Sequence, residues 1–483
     1  MNSLTFYDAL CRAFSHPLTS DQQVAAQRLS AFVFTEATRP TFVLRGYAGT
    51  GKTTLIGAFV HALKQANAGV VLLAPTGRAA KVLAAHAHHE AYTIHKAIYR
   101  QRTFSGEHTR FDLGFNAQQS TIFIVDEASM ISRSGGFDNP FGSGRVLDDL
   151  IDFVFSRRNC RLLLVGDNAQ LPPVGETESP ALHADTLRTY GLNVAEANLT
   201  EVVRQHAASS VLTAATQIRQ QLMRGELTRP TLTVSRRGEV RYLPGDELIE
   251  QLISDYADYG EEETIIVTRA NKRAGLYNAG IRQRIFDREA DLTRGDRVMV
   301  VKNNYYWTTQ LAKKLPPNTS LPLDFVANGD SATVLRLSNI HEMHGFMFAD
   351  ATLRFADYND FELDCRVLLS TLQSESPSLT TMEAEKLMNS VLADYADIPS
   401  KTERMKKVRE DAYYNALQLK YAYAVTCHKA QGGQWARVYI DQGYIPDDAD
   451  GRDYLRWLYT AITRTTQQVY LVNWPESLRR EEE

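Results

Sequence analysis

The sequence has little of what marks secreted, membrane-spanning or metal-clustered proteins. Only four cysteines occur in 483 residues, and none belongs to a CxxC pair. They are Cys11, Cys160, Cys365 and Cys427. Scattered single cysteines are typical of reduced thiols in a cytosolic compartment and indicate no metal site. No run of eighteen apolar residues is present, and the N-terminal stretch MNSLTFYDALCRAF has no basic segment before an apolar one, which disfavours membrane insertion and secretion.

An excess of positive charge is also absent. The net charge is −4, with 53 Lys and Arg against 57 Asp and Glu, so the molecule as a whole is not a basic nucleic-acid binder. A local basic channel remains compatible with this total, because a ligand responds to the potential of the cleft that it enters. Hydrophobic content of 44% and charged content of 23% are those of a soluble globular protein. A chain of this length requires two or more domains.

The strongest signal is a glycine-rich loop between an apolar run and a helical pattern. Gly46, Gly51, Lys52 and Thr53 fit the spacing G-x-x-x-x-G-K-[ST], after TFVL and before TLIGAFVHALKQA. Glycines let backbone N–H groups surround a phosphate, and the helix N-terminus adds about half a positive charge. Lys52 is expected to reach the β and γ phosphates, and the Thr53 hydroxyl to ligate Mg²⁺. The loop residues predicted to bind ATP are Gly46, Ala48, Gly49, Thr50, Gly51, Lys52, Thr53 and Thr54.

Two further apolar runs end in polar residues that suit triphosphate hydrolysis. The run IFIV is followed by Asp126 and Glu127. Asp126 is predicted to hold the magnesium ion and Glu127 to polarise the attacking water. Two adjacent carboxylates at a buried strand end are costly to desolvate unless a cation neutralises them. The run RLLLVGDNAQLPPV offers Asp167, which ordinary turn chemistry also explains, and Gln170, a candidate sensor of the γ phosphate.

Segments elsewhere in the chain narrow the class of ATPase. In LTSDQQ, Gln22 is a candidate to read adenine through its amide, although the same pattern also starts a helix. The ordered set GYAGTGKTT, LAPTGRAA, TIHK, VDEASM, GDNAQLPPVG, LTEVVRQ, VTCHKAQGGQW and LYTAITRTT resembles superfamily 1 helicases. Within that superfamily it is most similar to the RecD, Dda and Pif-type group, superfamily 1B. The residues in DEASM, QLPPVG and HKAQG favour this group over other superfamily 1 helicases. The motifs extend over nearly the whole chain.

The resemblance implies an α/β fold with two RecA-like P-loop NTPase domains and with ATP and Mg²⁺ in the cleft between them. Arg204 and Arg464 match the family's arginines that reach the γ phosphate from across the cleft. Such an arginine stabilises the transferring phosphoryl group, can add about 10³–10⁵ in rate, and makes hydrolysis depend on cleft closure. For each arginine the alternative is a surface ion pair of little energetic value. The predicted catalytic set is Lys52, Glu127, Gln170, Arg204 and Arg464, and Gly432 is added to the nucleotide-binding set.

Other motif residues match those that line the single-strand path in the family. They are Pro75, Thr76, Arg78, Thr93 and His95 in the first half and Asn271, Thr426, His428 and Lys429 in the second. Small hydroxyls and cations position a nucleic-acid backbone without reading its sequence, as a translocase requires. For His95 and His428 a buried, backbone-bonded role is the alternative. Gln434 and Trp435 depart from the family pattern, so their role stays open.

The domain organisation is predicted in three parts. Residues 1–204 form the first RecA-like domain, 205–296 and 416–483 the second, and 297–415 an SH3-like β-barrel insertion with a helical segment. A small β-hairpin insertion at about 97–120, with SGEH as its turn, is expected to act as the wedge that splits the duplex. In it, Phe104 and Phe111 are equally candidates for stacking on the fork or for packing. In the helical segment, Thr380 and Glu383 form a predicted capping box.

The function that follows is an ATP-dependent DNA helicase that translocates on single-stranded DNA and unwinds duplexes. Movement from 5′ to 3′ is implied by the resemblance alone. The alternatives are an ATP-switched clamp on single strands and an RNA-directed helicase. A clamp has no need for the full hydrolytic set of Lys52, Glu127 and Arg464. We expect a cytoplasmic monomer of bacterial or phage type that acts on single strands and duplex junctions, with a single-strand binding protein or replication and recombination factors as candidate partners.

Overall fold

Two parallel β-sheets and one closed β-barrel organise the chain. The computed structural model describes residues 2–14, 16–102, 110–135, 142–203, 209–316, 321–323, 325–446 and 450–482. Short 3₁₀ turns connect several elements, at Ala128–Met130, Pro180–Leu182, Glu261–Glu263, Ala356–Tyr358, Leu369–Thr371 and Glu476–Leu478. Among the described residues, no helix combines the length and the apolar character needed to cross a bilayer.

The N-terminal part of the chain builds the first sheet and its helices. Its strands are β1 (Pro40–Gly46), β2 (Gly69–Ala74), β3 (Ala91–Thr93), β4 (Tyr99–Arg102), β5 (Arg110–Leu113), β6 (Thr121–Val125), β7 (Arg161–Gly166) and β8 (Asn193–Leu199). Its helices are α1 (Ser3–Arg12), α2 (Ser20–Val33), α3 (Lys52–Gln65), α4 (Gly77–Ala87), α5 (Ile94–Ile98), α6 (Val146–Phe155) and α7 (Ala184–Thr189). We call these elements the first lobe.

Six of these strands pair in parallel in the order β3-β2-β6-β7-β1-β8. The runs FVL of β1, IFIV of β6 and LLLV of β7 are fully buried, because helices cover both faces of a parallel sheet. One core lies between the sheet and α1–α4, and a second lies between the sheet, α5 and α6. The carboxyl ends of β1, β6 and β7 therefore lie side by side at one edge, where their polar residues follow.

Strands β4 and β5 form a separate antiparallel hairpin, with Tyr99 opposite Leu113 and Arg102 opposite Arg110. This pairing is the hairpin that the sequence predicts on either side of SGEH. The turn, with Phe104, lies outside the described residues, and so does the side chain of Phe111.

The second sheet uses segments from both sides of the barrel. Its strands and their neighbours are β9 (Leu232–Ser235), β10 (Val240–Leu243), β11 (Thr264–Thr268), β17 (Ala424–Thr426), β18 (Trp435–Asp441), β19 (Thr465–Val472) and β20 (Arg479–Glu482). The order β10-β19-β18-β11-β17 is parallel throughout, and β9 pairs with β20. The helices are α8 (Ser210–Arg224), α9 (Leu248–Tyr259), α10 (Asn271–Arg284), α14 (Cys427–Ala430) and α15 (Gly451–Ile462). We call these elements the second lobe; each lobe is an α/β domain built on a parallel sheet.

The barrel closes through five strands and is inserted between α10 and β17. It contains β12 (Arg297–Val300), β13 (Ser331–Met343), β14 (Phe346–Phe355), β15 (Phe361–Leu368) and β16 (Leu417–Tyr421). All its pairs are antiparallel except β15 with β16. Helices α11 (Tyr306–Ala312), α12 (Thr381–Asp394) and α13 (Lys401–Arg409) accompany it. Strand β16 lies past the predicted boundary at 415. The barrel shares a continuous hydrophobic core with the second lobe.

Helix α12 begins as the sequence predicts. The Thr380 side chain accepts a hydrogen bond from the Glu383 N–H, and the Glu383 side chain accepts one from the Thr380 N–H, so the capping box is present. Leu387 and Val391 are buried against the barrel strand residue Phe348 and its neighbours. The helix therefore gains its position from one apolar face and its start from the cap.

Phe42 tests the core beneath the first sheet. Its side chain is 0% exposed, and its ring centroid lies 5.5 Å from that of Phe32. We expect Phe42→Ala to lower the free energy of the first unfolding transition in urea by about 3–5 kcal/mol, because it removes buried area and leaves a cavity. Phe115→Ala is the matched control, since Phe115 is 73% exposed; its loss should stay under about 1 kcal/mol. Equal losses in both variants would contradict the assigned core.

Candidate nucleotide and nucleic-acid site

The phosphate loop leaves β1 and enters α3 through two glycines in the left-handed region. Gly49 has φ 74° and Gly51 has φ 78°, a conformation that L side chains rarely adopt. A Cβ at Gly51 would lie 2.6 Å from Gln22 Nε2, and one at Gly49 would lie 2.8 Å from Leu212 Cδ1. No side chain caps α3 at its Gly51 N-terminus. The first amides of the helix are therefore available to an anion.

Lys52 lies over this loop. Its Nζ atom donates to the carbonyl oxygens of Gly46 at 2.6 Å and of Tyr47 at 3.0 Å, and it lies 4.0 Å from Asp167 Oδ2. These carbonyls hold the ammonium at the loop in a position where phosphate oxygens can take over as acceptors. Thr53, on the first turn of α3, is half-buried, and Thr54 is exposed.

Gln22 supports the loop from α2. Its Nε2 atom donates to the Thr50 carbonyl at 3.0 Å, and its Oε1 atom accepts from the Thr19 N–H at 3.1 Å. The side chain is 4% exposed. Both ends of the amide are therefore engaged in fixing the loop and the start of α2.

The acidic pair follows β6 at the same sheet edge. Asp126 Oδ1 accepts the Glu127 N–H at 2.8 Å, and Glu127 has a left-handed φ of 50°. Burial and the neighbouring Glu127 carboxylate raise the pKa of Asp126 to about 6, against the opposing influence of Lys52. A cation would offset that cost. Within the described ranges, no cluster of three or more His, Cys, Asp or Glu residues forms a metal cage, so a Mg²⁺ ion held by Asp126 and Thr53 would need oxygens from the nucleotide as well.

Gln170 lies where the loop after β7 meets the second lobe. It is 5% exposed, and its buried Oε1 atom has no hydrogen-bond partner among the described residues. The next residue, Leu171, donates its N–H to Thr460 Oγ1 at 2.8 Å and accepts from Gln431 Nε2 at 2.7 Å. A buried acceptor without a protein partner, located beside a cross-lobe contact, is available to a bound ligand or a water molecule.

Arg464, one of the two predicted arginines, does not reach the phosphate loop in this structure. Arg464 is 4% exposed and donates to the Thr460 carbonyl at 3.0 Å, the Gly433 carbonyl at 3.3 Å and Thr463 Oγ1 at 3.2 Å. All three acceptors belong to the second lobe. Arg204 lies outside the described residues.

Arg78 instead makes a contact between the lobes. Its Nη2 atom donates to the Gln434 carbonyl at 2.5 Å, and its guanidinium lies 4.3 Å from the centre of the Trp435 ring. A Cβ on Gly432 would lie 3.2 Å from Thr76 Oγ1, which puts Gly432 against the start of α4. The sequence left the role of Trp435 open; an aromatic residue just after QGG was its only signal.

Four predicted nucleic-acid residues of the first lobe line one small cavity of about 30 Å³ beneath the barrel. They are Pro75, Thr76, Thr93 and His95. The His95 ring lies 5.6 Å from the Tyr99 ring and 5.9 Å from the Phe325 ring between centroids. Burial lowers the pKa of His95 to about 4. The imidazole is therefore neutral at physiological pH and brings no charge to a phosphate.

A larger cavity of about 630 Å³ lies where the second lobe meets the barrel. It brings together the predicted residues Asn271, Thr426 and Lys429. Lys420, at the end of the barrel, also lines it, and burial together with Lys429 lowers the pKa of Lys420 to about 8. Sequence reasoning missed Lys420, because it stands outside every motif. His428 is exposed and is not among the lining residues, although desolvation lowers its pKa.

A phosphate loop, an acidic strand end at the same sheet edge and a second α/β lobe in contact with the phosphate loop define a two-lobed P-loop NTPase. Comparison with protein families agrees with this class. The AAA domain model matches residues 18–241, and the model of the UvrD-like helicase C-terminal domain matches residues 421–472. The first match covers most of the first lobe and continues through α8 and β9 of the second lobe, and the second match covers β17 to β19 of the second lobe.

Two relatives with a named function are DNA helicases. The ATP-dependent DNA helicase Dda of Enterobacteria phage T4 is 24% identical over 447 residues, 89% of this chain and 93% of Dda. The ATP-dependent RecD2 DNA helicase of Deinococcus radiodurans is 31% identical over 174 residues, 36% of this chain and 21% of RecD2. Among solved structures, Bacteroides Pif1 bound to single-stranded DNA is 17% identical, with 97% of this chain and 95% of that chain covered and a TM-score of 0.47.

The chain is similar to superfamily 1B helicases of the RecD, Dda and Pif type, and the two family matches together with these relatives support an ATP-dependent DNA helicase. Helicases of this kind use a nucleotide, and the phosphate loop described above is the candidate site for it.

Lys52 tests that use of ATP. We expect Lys52→Ala to lower phosphate release from ATP by at least ~100-fold, because the cation that neutralises the β and γ phosphates is lost. Single-strand binding, measured by fluorescence anisotropy, should stay within about twofold of wild type. Lys64→Ala is the matched control, since Lys64 is exposed on the same helix and its Nζ atom donates to the His88 carbonyl, away from the phosphate loop. Wild-type turnover in the Lys52 variant would remove the loop from its assigned role.

Glu127 tests the activation of water. In Glu127→Gln the buried strand end loses one of two adjacent carboxylates, so ATP should bind while turnover falls by about 10²-fold or more for lack of a general base. Binding of a fluorescent ATP analogue and steady-state phosphate release separate the two effects. The exposed Glu90→Gln serves as the charge-matched control. Normal hydrolysis by the Glu127 variant would show that another group activates the water.

Proposed function

We propose that the chain is a motor that moves along single-stranded DNA from 5′ to 3′ and unwinds duplex DNA at the expense of ATP. One observation carries this proposal. We call the cavity of about 630 Å³ the basic cavity, because Lys272, Lys420 and Lys429 line it. The segment that contains β17, α14 and the QGG turn contributes Thr426 and Lys429 to the basic cavity, and Gln431 donates to the loop that holds Gln170. A single short segment therefore touches both the candidate strand path and the boundary of the nucleotide site, which is the connection that a motor needs.

The basic cavity supports the strand-binding part of the proposal. Lys272, Lys420 and Lys429 line it together with the small polar residues Asn271 and Thr426. Such a mixture holds phosphates without reading bases, as translocation along any sequence requires. A volume of about 630 Å³ is also in the range of a ligand site.

On the first lobe a strand would have to displace the barrel. The cavity that holds Thr76 and Thr93 measures only about 30 Å³, much smaller than a nucleotide site. Lys96 donates to the carbonyls of Leu321 and Pro322, and Lys81 donates to that of Ala356. We infer that these bonds release when a strand occupies the first lobe.

In the hydrolytic step, Thr53 and Asp126 would hold Mg²⁺, Glu127 would orient the water and Lys52 would neutralise the phosphates. Arg464 would have to leave its second-lobe acceptors to reach the γ phosphate, and Arg204 remains the other candidate arginine. Bound Mg²⁺ would supply charge neutralisation of the nucleotide.

The remaining parts of the proposal concern the insertions and the working state. The β4–β5 hairpin would act as the wedge at the fork, and the closed barrel would be an SH3-like module that guides the strand. The proposed domain organisation is 1–204 for the first domain, 205–296 with 416–483 for the second and 297–415 for the insertion, with the last boundary moved to include barrel strand β16 (Leu417–Tyr421). The protein would work as a cytoplasmic monomer, with single-strand binding or recombination factors as partners.

Forked substrates test the direction. We expect unwinding of a duplex with a 5′ single-stranded tail and at least about tenfold slower unwinding of the same duplex with only a 3′ tail, because a motor that moves from 5′ to 3′ loads on the first. Strand separation is followed by fluorescence dequenching, with a blunt duplex as control. Preference for the 3′ tail would overturn the direction.

ATP turnover with added strands separates the alternatives. Turnover stimulated by single-stranded DNA together with unwinding supports the helicase. Stimulated turnover without unwinding of any fork favours the clamp, and stronger stimulation by single-stranded RNA than by DNA favours an RNA-directed enzyme.

A further inference from the structure

Tyr459 places one hydroxyl between the two lobes at the phosphate loop. This residue belongs to α15 of the second lobe, and its side chain is 1% exposed. The hydroxyl donates to Asp167 Oδ2 at 2.7 Å and accepts the Ala48 N–H at 2.9 Å. Both partners belong to the first lobe: Ala48 lies in the phosphate loop, and Asp167 follows β7.

The surroundings of this hydroxyl fix its donor and acceptor roles. Burial, followed by the Asp167 carboxylate, raises the pKa of Tyr459 well above its usual value, so the phenol stays protonated. Asp167 is itself 1% exposed, and its other oxygen accepts the Ala169 N–H at 2.9 Å. Lys52 Nζ lies 4.0 Å from the same Oδ2 atom that accepts from Tyr459. The Tyr459 hydroxyl, the Asp167 carboxylate and the Lys52 ammonium thus form one polar network.

Helix α15 links this group to Arg464. The helix ends at Ile462, and Arg464 follows it with a bond to the Thr460 carbonyl. Thr460, the residue after Tyr459, accepts the Leu171 N–H from the loop that holds Gln170. A shift of α15 against the phosphate loop would therefore move the arginine and the Gln170 loop together.

We propose that Tyr459 is a positioning residue for ATP hydrolysis, whose hydroxyl aligns α15, and with it Arg464, on the phosphate loop. The inference rests on the proposed function, since it assigns Arg464 to the γ phosphate. The hydroxyl fixes the angle at which the second lobe closes on the loop, and it contacts the loop backbone without contributing a charge to the nucleotide. Loss of the hydroxyl should lower the rate of ATP hydrolysis in the closed state more than it weakens nucleotide binding.

Tyr459→Phe tests this directly, because it removes the hydroxyl and keeps the ring. We expect the kcat for ATP in the presence of single-stranded DNA to fall about tenfold, the size expected when one or two hydrogen bonds of the aligned state are lost. The KM for ATP should stay within about twofold. Titration with a fluorescent ATP analogue should still give one binding site per chain, which a general loss of folded protein would not.

Tyr454→Phe is the matched control. Tyr454 lies on the same helix, is 2% exposed, and donates its hydroxyl to Gln442 Oε1 at 2.9 Å within the second lobe. It makes the same chemical change without touching the first lobe, so its kcat and KM should remain those of wild type. Thermal unfolding of both variants, expected within a few degrees of each other, checks that the two substitutions are structurally equivalent.

Two results would overturn the inference: a kcat of Tyr459→Phe equal to that of Tyr454→Phe, or a rise in KM as large as the fall in kcat, which would make the hydroxyl a simple nucleotide-binding group. Failure of the proposed function gives a different pattern. If wild-type turnover ignores single-stranded DNA and no fork is unwound, the helicase proposal fails, while the Tyr459 comparison is still read on basal ATP turnover, where the same split is expected.

Discussion

The structure depends on one constraint: the phosphate loop belongs to the first lobe but is packed against the second. Tyr47 and Ala48 of the loop, and Ala169 and Leu171 after β7, pack against the hydrophobic core of the second lobe. The two lobes otherwise have separate cores under separate sheets. A ligand that changes the loop must therefore change how the lobes meet, because packed cores shift as units and do not deform continuously.

The barrel adds a second constraint on the nucleic-acid side. It shares its core with the second lobe and reaches over the first-lobe residues Thr76, Thr93 and His95. Tyr358 lies so close to Gly77 that a Cβ there would be 2.5 Å from the tyrosine ring. The barrel is therefore packed against both lobes, through a shared core with the second lobe and through Tyr358 with the first.

Particular elements show how far sequence reasoning reached. The apolar runs TFVL, IFIV and RLLLV were expected to be strands, and they form neighbouring strands of one parallel sheet. The capping box at Thr380 and the paired strands beside SGEH were confirmed. These features are local: a cap, an apolar run or a glycine with positive φ is specified by a few neighbouring residues.

The candidate site was predictable only in its local parts. Contacts between residues that are distant in sequence could not be predicted, because sequence spacing does not indicate which surfaces of the two lobes pack together. Arg78 was predicted to bind DNA and also stacks on Trp435. Lys420 joins Lys429 from outside any motif. The Gln22 amide donates to the Thr50 carbonyl of the loop and accepts from the Thr19 N–H at the start of α2.

The sequence by itself determined the residue types of the phosphate loop and of the acidic strand end, and with them the resemblance to helicases, because each depends on residue types at short fixed spacings. Only the tertiary structure decided which groups face each other across the lobes: Tyr459 with Ala48, Arg78 with Trp435, and the barrel with His95. The physical reason is that burial and hydrogen bonding between distant segments depend on the packing of whole sheets and helices, which no short stretch of sequence specifies alone.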